Sequence, residues 1–103
     1  MRRSEILEKY HNYLLLERGL SSNTREAYLR DVGKFVDYLA EEGLEKEKVT
    51  LEELHRFVWL LPDMGICARS VARIISGVRS FYRFLLLDGY IENDPTELLE
   101  SPK

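Results

Sequence analysis

The chain is poor in several features that would place it at once. One cysteine, Cys67, among 103 residues leaves no internal disulfide to form. A cross-linked secreted scaffold is therefore excluded, and a reducing, cytoplasmic setting is expected. The longest apolar run, Phe57 to Leu61, falls far short of the ~18 residues of a membrane span. The opening Met1-Arg2-Arg3-Ser4-Glu5 leads into no signal-peptide core, so no membrane role is expected. No segment alternates with period two for long enough to form a strand. Excess positive charge is missing too: 15 Lys and Arg against 18 Asp and Glu give a net −3, so contact with nucleic acid requires a local patch. His11 and His55 have no cysteine or histidine at ligand spacing, and no phosphate-binding glycine loop or nucleophile elbow occurs. Neither metal nor cofactor is expected, and no catalytic constellation can be assembled.

What is present is enough for one small domain: 45% hydrophobic and 32% charged residues exclude disorder. Gly19-Leu20, Gly43-Leu44 and Gly89-Tyr90 each read as a helix stop, glycine turning left-handed and the next apolar residue folding back. The first predicted helix, about Ser4 to Arg18, aligns Leu7, Tyr10 and Leu14. The second opens at Ser21-Ser22-Asn23, with Asn23 and Glu26 at capping-box spacing, and aligns Tyr28, Val32, Phe35 and Leu39. A third starts at Thr50, capped with Glu53, and carries Leu51, Leu54, Phe57, Val58 and Leu61 before a turn at Pro62-Asp63-Met64-Gly65. The fourth runs from about Ala68 to Leu87, with Val71, Ile74, Val78, Phe81, Tyr82 and Leu85 on its core face. Asn93-Asp94-Pro95 then reads as the start of a short fifth helix. The expectation is an all-α bundle of four helices plus that fifth. Cys67, beside the fourth helix, is expected as a small core residue.

The fourth helix carries the main functional signal. Opposite its apolar face lie Arg69, Arg73, Ser76, Ser80 and Arg83, with Arg79 on the flank. No Asp or Glu occurs between Ile66 and Leu87, so none of these arginines has an acid within the helix to pair with. A merely solvated face would normally carry such acids, and four unmatched cations favour a polyanion opposite them. Arginine suits bidentate contact with phosphate or with guanine O6 and N7. Ser70, Ser76 and Ser80 are small enough to let the helix approach a groove. A weaker signal lies in the second helix, where Ser22, Asn23 and Thr24 open it and Asn23, Arg30 and Lys34 share its polar face. Taken alone, Ser22 and Asn23 are better accounted for as ordinary helix caps. Glu41, Glu42, Glu45 and Glu47 read as charged surface.

The stretches Glu17-Arg18-Gly19-Leu20-Ser21-Ser22-Asn23-Thr24 with Tyr28, Arg30-Asp31 and Phe35, then Arg69 to Leu85, then Gly89-Tyr90-Ile91, Asn93, Pro95-Thr96 and Pro102-Lys103, occur here in one order. Together they resemble the N-terminal core-binding domain of Xer-type tyrosine recombinases, in the phage-integrase superfamily. The resemblance implies a SAM-like bundle that forms half of a clamp on duplex DNA, with the second and fourth helices at the major groove. By position it implies DNA contacts from Asn23, Thr24, Ala27 and Arg30, and from Arg69, Ser70, Arg73, Ser76 and Ser80, which joins the stripe that also holds Arg79 and Arg83. It implies a core-binding domain over 1–100 and the start of a linker at 101–103, with the catalytic tyrosine in a second domain absent from this chain. The chain alone is then expected not to cut DNA and to be monomeric. Partners are duplex DNA and, in the parent recombinase tetramer, neighbouring protomers touched by the first helix and by Pro95 to Leu99. The rival reading is a helical protein–protein interaction module, favoured by the acidic balance.

Overall fold

In the computed structural model, residues 2–17 and 19–102 are described; Met1 and two other positions, Arg18 and Lys103, lie outside them. Four α-helices follow one another: α1 Arg3–Leu15, α2 Ser22–Glu41, α3 Leu51–Asp63 and α4 Ala68–Leu87, with one 3-10 turn at Lys46–Lys48. No strand occurs among the described residues. The radius of gyration, 12.9 Å, is that of a single packed domain of this length.

Local chemistry explains the helix ends. Thr50 Oγ1 accepts from Glu53 N at 3.2 Å while Glu53 Oε1 accepts from Thr50 N at 3.0 Å, a complete capping box. After α2, Gly43 has φ +68° and Leu44 N donates back to Leu39 O at 2.8 Å. The same closure ends α4, where Tyr90 N donates to Leu85 O at 2.9 Å. It also ends α3, which the sequence pattern placed in a turn beyond Leu61. Pro62 and Asp63 instead complete the last helical turn, and Ile66 N donates to Leu61 O at 3.1 Å. Pro62 has no N–H to give the Val58 carbonyl, so the last turn of α3 goes without that hydrogen bond, and the helix ends one residue later.

Three expectations are corrected. The cap of α2 is Ser21, whose Oγ accepts from Thr24 N at 3.1 Å, so Asn23 lies inside the first turn and its side chain caps nothing. Cys67 is exposed, at the N-cap position of α4, rather than in the core. The fifth helix is a turn: Asp94 Oδ1 takes Thr96 N at 2.8 Å and Thr96 Oγ1 at 2.6 Å, and Leu99 N closes on Thr96 O at 3.0 Å. The bond from Thr96 N to Asp94 Oδ1 is one that a helix N-cap also makes, but a single turn follows it, closed by Leu99 N on Thr96 O, and no helix propagates. Pro102 also draws Ser101 away from helical conformation, and the segment is too short to persist without its own packing.

The core is built on aromatic side chains. Tyr10, Phe35, Phe81, Tyr82 and Phe84 are fully buried; Tyr10 meets Phe81 edge-on at 5.4 Å, and Phe35 meets Phe57 at 5.1 Å and Tyr82 at 6.0 Å. Val32, Leu39, Val71, Ile74, Val78 and Leu85 are buried as their periodicity required, whereas Tyr28 is half-buried. The two deepest phenols are satisfied, Tyr10 by Ser80 Oγ at 3.1 Å and Tyr82 by Lys46 O at 2.8 Å.

Replacing Phe81 with Ala should cost roughly 3–5 kcal/mol, a large part of a small domain's ~5–15 kcal/mol; unchanged thermal melting would disprove the packing. Burial raises Tyr10 and Tyr82 well above the ordinary phenol value and, with a hydrogen bond to Glu17, raises Tyr13 to about 12. These phenols stay protonated in the fold while unfolded tyrosine ionises near 10, so their contribution is complete below pH ~10 and is lost as pH rises beyond it. Melting followed by circular dichroism should be markedly lower at pH ~11 than at pH ~8, and Tyr13→Phe should narrow the difference.

Candidate nucleic-acid interface

Helices α2 and α4 approach closely at Tyr28 and Gly77, where a Cβ on Gly77 would lie 3.5 Å from the Tyr28 ring and 3.8 Å from its Cα. One turn away, Asp31 of α2 faces Arg73 of α4. Arg73 Nε donates to Asp31 Oδ2 at 2.7 Å and Nη2 donates to Oδ1 at 3.1 Å. The Asp31 side chain is 3% exposed and that of Arg73 37%. The pair raises the arginine pKa above its ordinary value through this hydrogen bond. The expectation that the α4 arginines lack a counter-charge therefore fails for Arg73: the acid comes from the neighbouring helix.

The remaining positions separate into distinct settings. Arg69 is exposed in the first turn of α4 and makes no hydrogen bond or ion pair among the described residues, and the same holds for Arg30 and Lys34 on α2. Ser70 lines the concavity that holds Asp31, Lys34 and Arg73, and its Oγ is 3.4 Å from Cys67 Sγ. That hydrogen bond lowers the thiol from its ordinary value. Ser76, Arg79, Ser80 and Arg83 line a different concavity, walled by Glu17, Tyr28 and the C-terminal segment at Asp94 to Glu97. There Arg79 Nη2 donates to Leu99 O, which pins the segment whose Leu99 is buried, and Ser80 is held by Tyr10. Arg83 is exposed, and its charge opposes that of Glu17 on the Tyr13 hydroxyl. On α2, Thr24 is occupied with Ser21, Ala27 is buried at the edge of the core and Asn23 is exposed.

The stripe read from periodicity is thus one helix face with three fates: Arg69, Ser76 and Arg83 open, Arg73 clasped across to α2, and Arg79 and Ser80 engaged by other segments. Periodicity alone assigns Asp31 no part in this face. Its signal was present, since Asp31 falls within about 60° of Tyr28 and Phe35 around α2, where a carboxylate needs a partner to be buried. No group of three His, Cys, Asp or Glu among the described residues is placed to hold a metal. No helix among them is long and apolar enough to cross a membrane.

With this geometry in place, comparison identifies the class. Residues 7–89 match the family described as phage integrase, N-terminal SAM-like domain, and the chain belongs to that family. Among curated proteins, it is 40% identical over 99 residues to tyrosine recombinase XerD of Chlorobaculum tepidum, covering 96% of this chain and 33% of that protein. It is equally similar, 40% over 99 residues, to the tyrosine recombinases XerD of Staphylococcus epidermidis and Staphylococcus aureus, covering 95% of this chain and 34% of each. The chain spans about a third of the length of these relatives.

The clasp has a measurable consequence for stability. Arg73→Ala leaves the Asp31 carboxylate buried without its partner, and should cost ~1.5–3 kcal/mol, less than a fully buried pair because Arg73 is partly solvated. Arg69→Ala, which breaks nothing, should change stability by less than ~0.5 kcal/mol. Urea titrations of the two variants compare them directly; equal midpoints would show that the clasp does not hold the helices together.

Proposed function

We propose that this chain is the DNA-binding N-terminal domain of a tyrosine site-specific recombinase or integrase, gripping duplex DNA through α2 and α4 during recombination or integration. The observation that carries this reading is the acid-free face of α4, with Arg69 and Arg83 exposed and unpaired, beside Arg30 and Lys34 on α2, in a chain of the integrase SAM-like family. Asn23, Ser70 and Ser76 supply small polar contacts along the same faces, and Arg79 adds charge from the flank. Ala27 then acts by shape, while Thr24 and Ser80, whose hydroxyl oxygens accept from Ser21 and Tyr10, keep their own protons to donate to phosphate. Residues 1–100 serve as the core-binding domain and 101–103 begin the linker. The nucleophilic tyrosine belongs to another domain of the parent protein. The tyrosines here are packed or hydrogen-bonded, and Tyr10 and Tyr82 are buried as neutral phenols.

Exposed apolar side chains support the second part of the proposal, contact with neighbouring protomers in the parent tetramer. Leu16 at the end of α1 is 84% exposed and Leu98 in the C-terminal turn 73%, at the two places where the resemblance implies such contacts. They would equally serve an interaction module, which remains the second reading. The isolated chain is expected to be monomeric.

Four phosphates neutralised by Arg30, Arg69, Arg79 and Arg83 give a log–log salt slope of about −3.6, so binding to duplex should be visible at low salt and fade toward physiological ionic strength. Arg69→Ala should flatten the slope by about 0.9. Supercoiled plasmid incubated with excess chain should remain unnicked. Binding insensitive to salt would favour the interaction module, and nicking with a covalent adduct would overturn the non-catalytic assignment.

A further inference from the structure

The clasp between α2 and α4 also bears on how DNA would be read, a consequence that rests on the function proposed above. Arg73 uses its Nε–Nη2 edge for Asp31, at 2.7 and 3.1 Å. Of the five guanidinium N–H groups, two are thereby occupied and three remain, both on Nη1 and one on Nη2. Because the guanidinium is planar, fixing one edge fixes the direction of the other: the end carrying Nη1 and Nη2 points away from the carboxylate. That free end presents two parallel donors, the arrangement that matches guanine O6 and N7. The carboxylate behind it is 3% exposed and is held in the body of α2, so it is a rigid support.

Two physical consequences separate Arg73 from its neighbours. Its rotamer freedom is already lost in the folded chain, which lowers the ordering cost of a bidentate contact. Its charge is matched by Asp31, so the pair offers little net attraction to phosphate, whereas Arg69 and Arg83 are unmatched.

We infer that Asp31 is a positioning residue for sequence recognition: it aims Arg73 end-on at a base edge and cancels the charge that would otherwise hold this arginine on any phosphate. Sequence preference and non-specific attraction are then assigned to different arginines on one helix face. Removing the Asp31 charge should weaken the first and strengthen the second.

The test uses the 103-residue chain and a pool of duplexes with a randomised window, followed by titration of the selected duplex and of a scrambled one across a salt series. Asp31→Asn keeps the side-chain shape and removes the charge. It should bind the scrambled duplex more tightly than the wild type does, steepen the salt slope by up to about 0.9, and lower the selected-to-scrambled ratio roughly five-fold or more. Arg73→Lys keeps the charge and loses the two-donor edge, so it should leave the slope unchanged and lower the ratio similarly. Should Asp31→Asn melt below the assay temperature, Asp31→Glu decides in its place: it keeps the charge and moves the carboxylate by one methylene, so the slope should hold and the ratio should fall. A purely structural clasp would leave the ratio of every folded variant at the wild-type value, and that result overturns the inference while the DNA-binding function stands. A wild-type chain that binds duplex without selecting a sequence also overturns it. No binding to any duplex at low salt removes the functional reading and the inference together.

Discussion

Gly77 carries no side chain where α4 passes Tyr28 of α2, so the two backbones come close enough for short polar groups to meet across the interface as well as long apolar ones. Alanine there would still reach only ordinary contact with Tyr28; a larger side chain would drive the helices apart. The closeness lets an aspartate, with a single methylene, reach an arginine on the opposite helix one turn along. It also brings Gly77 O within 3.4 Å of the Tyr10 hydroxyl, which ties α1 into the same contact. Three of the four helices are thus registered around one residue that contributes no side chain, only space and a carbonyl oxygen.

Placing a carboxylate at the boundary of the core is costly unless its charge is met. Desolvation of an ion pair can cancel the attraction within it, but here Arg73 remains partly in water and so loses little hydration, while Asp31 is covered. The geometry stabilises the helix pair most through what its loss would expose. It also divides the arginines of α4 into two electrostatic kinds, matched and unmatched, which charge counting along the helix cannot distinguish.

The C-terminal segment is fastened differently. Leu99 is buried, its carbonyl accepts from Arg79, and the amide of Glu100 donates to His55 Nε2 at 3.2 Å. The Asp94 turn sets the path that delivers Leu99 to the core. Arg79 is consequently drawn toward this segment and away from the centre of the polar face, so an anchoring requirement reduces what that side chain can offer an external partner.

Much of the fold could be read from the chain alone because the forces involved are local. The Thr50–Glu53 box spans four residues, the closures at Gly43-Leu44 and Gly89-Tyr90 span six, and the apolar stripes repeat every turn; each is complete within a few residues of sequence. The face of α4 bearing Arg69, Arg73, Ser76 and Arg83 was legible for the same reason. What becomes of each group on that face was decided by packing. Arg73 meets an acid 42 residues away, Arg79 a carbonyl 20 away and Ser80 a phenol 70 away. The turn at Asp94 does not continue into a helix, although its bond to Thr96 N would suit a helix start, because the chain turns to place Leu99 in the core. A charge pattern states which cations have no partner nearby along the chain. Only the crossing of α2 over α4 states which have one nearby in space, because a buried charge is matched wherever the tertiary structure brings its counterpart.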